Sequence, residues 1–171
     1  MTRTLSLRRA SISDLGSVDR LLSRSYPRLL AADYPPSTVV LAVPKITRAR
    51  PELLVSGTYF LAEDLDGRVL GAGGWTRAAP GGADGPGDVG HVRHVATDPD
   101  AVRLGIGRAL MSRVMEDARG LGILWLDCLS TRTAVPFYAA LGFKVVFPVD
   151  VPLGPGIVFP AIRMMADLRR T

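Results

Sequence analysis

The sequence predicts an α/β domain in which a mixed, mainly antiparallel sheet of about seven strands is flanked by helices. Three observations indicate this fold class: a hairpin signal at Asp66-Gly67, a strand that runs through a glycine loop into an amphipathic helix, and two strands near the C terminus. With 171 residues, 47% hydrophobic side chains and one cysteine, the chain fits a single domain over residues 1–171 that needs no disulfide.

The N-terminal third of the chain predicts a strand followed by helices. Leu5 and Leu7 indicate the strand, and Ser13-Asp14 is a suitable start for a helix whose apolar residues follow at helical spacing. Several prolines then interrupt residues 26–56. We therefore expect short helices joined by turns in that segment.

A hairpin is predicted in the middle of the chain. Segments 58–65 and 68–78 flank Asp66-Gly67, a dipeptide that tolerates the positive φ of a tight turn. The two segments are therefore expected to form antiparallel strands. Residues 79–90, which are rich in glycine and proline, predict a loop that leads to the next strand.

The second half of the chain alternates strands and helices. Residues at helical spacing predict a helix over 106–119, and a short helix that begins close to Pro136 is closed by Gly142. The strands predicted here are residues 91–98, 123–130, 143–150 and 157–167.

Charge and composition narrow the classes of partner. The formal net charge is +5, and all but two of the 21 basic residues are arginine, spread along the chain. A small polyanion such as a nucleotide cofactor fits this charge as well as a nucleic acid does. The N terminus has no apolar stretch typical of a secretory signal, and the longest aliphatic run, Val39 to Val43, is far shorter than the roughly 20 residues of a membrane span. We therefore expect a cytoplasmic protein without a membrane segment.

The most informative segment joins a strand to a helix across Gly105-Ile106-Gly107. Glycines there let backbone N–H groups converge on a ligand, and the start of a helix favours an anion. Arg103 and Arg108 add positive charge. The glycine pattern alone is equally compatible with close packing or an ordinary turn. If it does bind a ligand, a pyrophosphate is the anion that this arrangement favours.

A second motif, 24 residues further along the chain, makes the first far more specific. The pair resembles the GNAT superfamily of N-acetyltransferases, whose signature joins Q/R-x-x-G-x-G/A to N-x-x-A-x-x-F/L-Y-x-x-x-G-F. Here the first motif spans residues 102–107 and the second runs from Thr131 to Phe143. Val102 stands where Gln or Arg is usual, and Thr131 stands where Asn is usual. The resemblance extends over essentially the whole chain.

The resemblance implies a site for acetyl-CoA as cosubstrate. Asp98 and Asp100 have no His or Cys cluster near them in the sequence, so we expect no metal site. In the family, a strand segment pairs with pantetheine through its backbone, and the glycine loop binds pyrophosphate mostly through main-chain amides. The matching residues here are Val95, Ala96, Thr97, Arg103, Leu104, Gly105, Ile106, Gly107, Arg108 and Thr131. An alternative interpretation is that Thr131 or Thr133 only caps the following helix.

Two side chains are expected to handle protons. Tyr138 matches the family's general acid, and a phenol with an unperturbed pKa of about 10 can donate a proton to the departing thiolate. The alternative is that Tyr138 only packs with Phe137 and Phe143. His91 aligns with a glutamate that many relatives use as a base, and it would take the amine proton directly or through water. His94 is the alternative base.

Together these features predict an enzyme that moves an acetyl group from acetyl-CoA to a primary amine by direct attack in a ternary complex. Cys128 is expected to be a packing residue and not a nucleophile. Tyr26, Tyr34 and Trp75 are candidate walls of the acceptor site. The acceptor would be a small-molecule or peptide amine, and a homodimer is left open. The alternatives are a non-catalytic acyl-CoA-binding or sensing module on the same fold and, less favoured, a basic nucleic-acid-binding domain.

Overall fold

The computed structural model describes residues 4–82 and 85–170, which form one seven-stranded sheet with helices on both faces. The strands are β1 (Ser6–Arg9), β2 (Tyr59–Glu63), β3 (Val69–Thr76), β4 (Val89–Thr97), β5 (Trp125–Ser130), β6 (Lys144–Gly154) and β7 (Ile157–Asp167). They are hydrogen-bonded in the order β1-β2-β3-β4-β5-β7-β6. In this sheet β4 and β5 are parallel, and every other neighbouring pair is antiparallel. The predicted fold class is confirmed.

The helices connect the strands in the order that the sequence predicted. They are α1 (Leu15–Leu30), α2 (Pro36–Leu41), α3 (Val43–Ile46), α4 (Pro51–Leu54), α5 (Ile106–Gly120) and α6 (Val135–Ala140), and a short 3-10 turn precedes α1. The three short helices between α1 and β2 each have proline in their first turn, where the missing N–H group costs no helical hydrogen bond. Among the helices of the described residues, none is long and apolar enough to cross a membrane.

Each face of the sheet is covered by an amphipathic helix. The apolar side of α5, including Leu110 and Val114, packs against one face in a cluster that contains Phe60. On the other face, α1 and α4 cover β2 and β3 through a cluster that includes Leu22 and Leu54. Burial of each such side chain contributes about 1.5–3 kcal/mol to folding, so the two clusters fix both helical layers on the sheet.

Helix α1 is longer than the sequence predicted, because it continues through Pro27 as far as Leu30. Proline removes one helical hydrogen bond, which normally ends or bends a helix. Here the residues on either side are anchored: Ser25 is fully buried, and Leu30 packs in a third apolar cluster with Phe159 of β7. Tertiary packing therefore keeps this last turn helical.

Strand β4 contains a bulge that shapes the centre of the sheet. Arg93 pairs with Gly74 and Ala96 pairs with Ala72, so two residues of β4 stand opposite one residue of β3. One of these two is His94, whose φ of 46° lies in the left-handed region. Such a bulge bends its strand and changes which way the following side chains point.

Candidate active site

A cavity of about 710 Å³ lies between the second half of β4 and the end of β5, with α1, α6 and the loop before α5 around it. This volume falls within the range typical of ligand sites. The register between the two parallel strands ends at His91 and Asp127, so β4 and β5 are not paired with each other beyond that point. The cavity lining includes these residues that the sequence singled out: Tyr26, His94, Val95, Ala96, Thr97, Arg103, Gly105, Ile106, Gly107, Arg108, Thr131 and Tyr138.

The glycine loop forms one end of the cavity. Gly105 immediately precedes α5 with a φ of 77°, a conformation that favours glycine, and Arg103 has a φ of 63°. A Cβ on Gly107 would lie 3.1 Å from the ring of Phe137 on α6, so this glycine allows α5 and α6 to approach closely. The first N–H groups of α5 have no partner within the helix and are suited to an anion, with Arg103 and Arg108 beside them.

Two tyrosine hydroxyl groups hold the bulged segment of β4 in place. Tyr26 of α1 donates to the carbonyl oxygen of Val95 at 3.1 Å, and Tyr59 of β2 donates to that of His94 at 2.8 Å. Because both carbonyl groups are bound from the α1 side, the bulge is fixed before any ligand enters. Tyr26 is also one of the predicted acceptor-site residues, and it does border the cavity.

The structure brings His94, and not His91, to the cavity wall. The Nδ1 atom of His94 is buried and has no hydrogen-bond partner among residues 4–82 and 85–170. Burial lowers the pKa of His94 to about 4, and the positive charges of Arg50 and Arg93 act in the same direction. His94 is therefore a neutral imidazole at physiological pH, and the residue borders the cavity.

Tyr138 lies at the cavity wall and is also part of the core. Its ring makes edge contacts with Phe137 and Phe143 at centroid distances of 5.1 and 5.3 Å, and its exposed fraction is 6%. Burial raises the pKa of Tyr138 well above 10, so the phenol keeps its proton. Cys128 on β5 lies beside it, and burial raises the pKa of this thiol to about 12. Cys128 is thus protonated, whereas a nucleophilic cysteine needs a lowered pKa.

The remaining predicted cosubstrate contacts differ in their placement. Thr131 borders the cavity, but its hydroxyl oxygen accepts a hydrogen bond from the Ala134 N–H group at 3.2 Å and so closes the turn before α6. Thr133 donates to Asp33 of the α1–α2 connection at 2.6 Å. Leu104 is 53% exposed and is absent from the cavity lining. Thr131 therefore has a structural contact whichever ligand the cavity holds.

Two of the three aromatic residues expected at the acceptor site lie outside the cavity lining. Trp75 is 2% exposed beneath α5, and its indole N–H group donates to Asp117 at 2.8 Å. Tyr34 stacks on Phe159 and bridges two backbone groups, donating to the Pro160 carbonyl and accepting from the Arg132 N–H group. Neither residue borders the cavity, so no observation supports a place for either of them in its walls.

Sequence analysis missed Ser25, which also lines the cavity. Its hydroxyl group is fully buried and has no partner in the part of the chain that the structure describes. The signal was available in the helical pattern, because Ser25 continues the buried spacing of Val18, Leu21 and Leu22. A polar residue at an apolar position of an amphipathic helix marks a place where that face meets a cavity and not the core.

Known proteins resemble the chain in both sequence and fold. The model of the Acetyltransferase (GNAT) family matches residues 18–143. Curated relatives include the mycothiol acetyltransferase of Geodermatophilus obscurus, 42% identical over 89 residues, which cover 50% of this chain and 28% of that protein. The [Ribosomal protein bS18]-alanine N-acetyltransferase of Escherichia coli is 40% identical over 54 residues, which cover 30% of this chain and 36% of that protein. The chain thus spans only 28% and 36% of the length of these two relatives.

Solved structures show the same fold at low sequence identity. A GCN5-related N-acetyltransferase from Rhodopseudomonas palustris has a TM-score of 0.78 at 20% identity, and the match covers 98% of both chains. The PaiA N-acetyltransferase from Thermoplasma acidophilum, solved in complex with coenzyme A, has a TM-score of 0.71 at 17% identity, with 96% of this chain and 99% of that chain covered. The family match, which covers most of the chain, establishes that the protein belongs to the GNAT family of acetyltransferases.

Proposed function

We propose that the chain is an acetyl-CoA-dependent N-acetyltransferase that transfers an acetyl group to a primary amine by direct attack within a ternary complex. The observation that carries this proposal is the cavity between β4 and β5, which has the glycine loop at one end and His94 and Tyr138 in its walls. Family membership supports acetyl transfer, and two relatives are named mycothiol acetyltransferase and [ribosomal protein bS18]-alanine N-acetyltransferase.

Two features of the cavity suit acetyl-CoA. The free N–H groups at the start of α5, with Arg103 and Arg108, can bind the pyrophosphate through charge-assisted hydrogen bonds. The part of β4 beyond His91 is paired with β3 but has no strand on its β5 side, so its backbone on that side can pair with the amides of the pantetheine arm as an added strand would. Val95, Ala96 and Thr97 lie on this open stretch.

His94 is suited to position the attacking amine. A neutral imidazole nitrogen accepts a hydrogen bond from the N–H group of the amine, which aims the nitrogen lone pair at the thioester carbonyl. With its pKa lowered to about 4, His94 is too weak a base to hold the proton, so the proton passes to water. We therefore assign this position to His94 in preference to His91, which does not line the cavity.

Tyr138 is suited to protonate the leaving group. Its raised pKa keeps the phenol protonated, and a neutral O–H group can donate to the coenzyme A sulfur as the C–S bond breaks. Backbone N–H groups on β4 near residues 95–97 can donate to the oxygen of the tetrahedral intermediate. The reaction consumes acetyl-CoA and the neutral amine and yields the amide and free coenzyme A thiol. The proton that the amine loses to water is balanced by the proton that water returns to the Tyr138 phenolate.

Initial-rate kinetics with both substrates varied tests direct attack. Release of free thiol is followed for a panel of primary amines, with wild-type protein and the Cys128→Ala variant side by side. Direct attack predicts intersecting double-reciprocal lines and retained turnover in the variant, because the protonated thiol takes no part. Parallel lines together with loss of turnover in the variant would instead indicate an acyl-enzyme on Cys128.

The same assay separates an enzyme from a non-catalytic acyl-CoA-binding module. A module of that kind would bind acetyl-CoA with saturation but release no thiol with any amine. Turnover of at least one amine above the rate of spontaneous hydrolysis contradicts the module and supports the proposal.

A further inference from the structure

A strip of polar residues, consisting of Thr76, His91, Arg93 and Asp127, crosses the centre of the sheet. It lies on the same face as α1 and α4. Ala72 and Ala96 pack against α1 on this face, and β3 alternation places Gly74 and Thr76 on the same side as Ala72. Residues paired in register share a face, so Arg93, opposite Gly74, and His91, opposite Thr76, project from this side too. Because His91 is also in register with Asp127 of β5, the strip continues onto that strand.

The charges of the strip are unevenly compensated. Asp127 accepts two hydrogen bonds from the Arg163 guanidinium group, at 2.6 and 2.9 Å, so this carboxylate already has its cation. Arg93 is half-buried and donates one hydrogen bond, at 3.1 Å, to the Thr76 hydroxyl group. No carboxylate among residues 4–82 and 85–170 lies within ion-pair distance of Arg93.

The surroundings of Arg93 make this missing anion significant. Burial lowers the pKa of Arg93, and the positive charge of Arg50 acts in the same direction. Glu52 of α4 opposes both effects, but its nearest cationic partner is Arg50, at 3.9 Å. Removing a guanidinium group from water without a partner is unfavourable, and an anion that reached it would regain that free energy.

The position of Arg93 connects the strip to the proposed chemistry. It precedes His94, which borders the cavity, by one residue, and it follows His91 by two. A buried nitrogen of each histidine, Nε2 of His91 and Nδ1 of His94, has no partner in the described chain. Three polar side chains thus lie within four residues of β4, and because His94 borders the cavity, a ligand that reaches His94 would lie one residue away from Arg93.

We propose that the acceptor amine also carries a carboxylate and that Arg93 binds this carboxylate and determines acceptor specificity. The proposal rests on the proposed function, since it describes the acceptor of that reaction. A guanidinium group presents two parallel N–H groups that match the two oxygens of a carboxylate, which orients the acceptor as well as attracting it. Amino acids and peptides with a nearby carboxylate belong to this class of acceptor.

Matched acceptors test the proposal by turnover. Alanine, β-alanine and γ-aminobutyrate are each compared with the corresponding carboxamide, and kcat/KM is measured for wild-type protein and Arg93→Gln. Dividing the acid-to-amide ratio of the wild type by that of the variant cancels the intrinsic reactivity of each amine. A charge-assisted pair predicts that the best acid loses its advantage by about tenfold or more in Arg93→Gln, mainly through KM.

Two further variants sharpen the comparison. Arg93→Lys keeps the charge but loses the fork, so an intermediate acid-to-amide ratio is expected. Arg20→Gln removes the same charge from an exposed arginine of α1 whose one side-chain hydrogen bond among the described residues goes to Ser17, and its ratio should equal that of the wild type. An unchanged acid-to-amide ratio in Arg93→Gln overturns the proposal. Aminomethylphosphonate is tested as a further acceptor. If it alone depends on Arg93, the proposal is also overturned, because the ligand would then be a phosphonate-type anion.

A binding measurement covers the case in which no acceptor in the panel turns over. N-acetylated acids and their amides are titrated calorimetrically into protein saturated with coenzyme A. Tighter binding of an acid, lost in Arg93→Gln at unchanged coenzyme A affinity, supports the proposal. Equal affinity for acids and amides overturns it and leaves the proposed function intact, whereas failure of the folded protein to bind coenzyme A overturns both.

Discussion

His91 of β4 and Asp127 of β5 are the last residues of these two strands that pair with each other, and beyond them the parallel strands separate. The bulge at His94 begins three residues later on β4, where it bends the strand, and His94 borders the cavity. The point where the two strands stop pairing and the His94 bulge therefore lie within four residues of each other on β4.

Replacing Tyr138 by phenylalanine should separate chemistry from binding. The substitution keeps the edge contacts with Phe137 and Phe143 and removes the proton donor. Loss of a general acid typically costs about 10²–10⁴-fold in rate, so we expect kcat to fall by that order while calorimetry gives unchanged affinity for coenzyme A. Wild-type turnover in this variant would show that the sulfur leaves without help from Tyr138.

Tyr34→Phe provides a matched tyrosine away from the cavity. Its hydroxyl group joins the Pro160 carbonyl to the Arg132 N–H group, and both backbone groups lose a partner in the variant. The free energy of unfolding should fall by about 1–3 kcal/mol, measured by denaturant unfolding with an unchanged slope. Turnover per folded molecule should stay at the wild-type value. A fall in kcat like that expected for Tyr138→Phe would contradict this assignment.

The lowered pKa of His94 predicts a specific pH dependence of stability. With a folded-state pKa of about 4 and an unfolded value of about 6.5, the unfolded chain binds the extra proton first as the pH falls. Stability is therefore lost between about pH 6.5 and pH 4, by up to roughly 3 kcal/mol from this group.

The His94→Gln variant isolates that contribution. Denaturant unfolding is measured at several pH values for both proteins, and the difference between them should shrink or reverse toward acid pH. His91, whose pKa burial also lowers, contributes in the same direction in both proteins and cancels from the comparison. Parallel stability curves would show that His94 titrates normally in the folded state.

Two glycines of α5 should respond differently to alanine. A Cβ on Gly107 would meet the Phe137 ring at 3.1 and 3.2 Å, and Phe137 in turn contacts Tyr138, so Gly107→Ala should cost about 1–3 kcal/mol of stability and weaken coenzyme A binding. At Gly120 a Cβ would meet nothing within 4 Å and φ is not positive. Gly120→Ala should be neutral or stabilise by up to about 1 kcal/mol. Thermal unfolding measures the stability of both variants, and calorimetry measures their affinity for coenzyme A. Equal effects of the two substitutions would contradict the close approach of α5 and α6 at Gly107.

Local sequence signals were sufficient for the outline of the fold. The Asp66-Gly67 signal is confirmed by the hairpin between β2 and β3, in which Gly67 has a φ of 75°. The predicted helix over 106–119 corresponds to α5, and the last predicted strand coincides with β7. These elements depend on turn chemistry and periodicity, which neighbouring residues determine.

The bulge and the burial of particular aromatic residues could not be predicted in the same way. Strict alternation along β4 gives no sign that His94 adopts a left-handed φ, so the alignment favoured His91 as the base. Trp75 and Tyr34 are buried because α5 and β7 pack over them, which depends on residues distant in the sequence. Ser25 was detectable, because it interrupts the apolar side of α1.

Calorimetric titration with coenzyme A, acetyl-CoA and dephospho-CoA tests most directly whether the gap between β4 and β5 is a cosubstrate site. The geometry of the open strand edge and the glycine loop predicts saturable binding of one molecule per chain in the micromolar range, weakened in Gly107→Ala. A folded sample that gives no binding heat with any of the three ligands, with no ligand-induced rise in its unfolding temperature, would contradict the account.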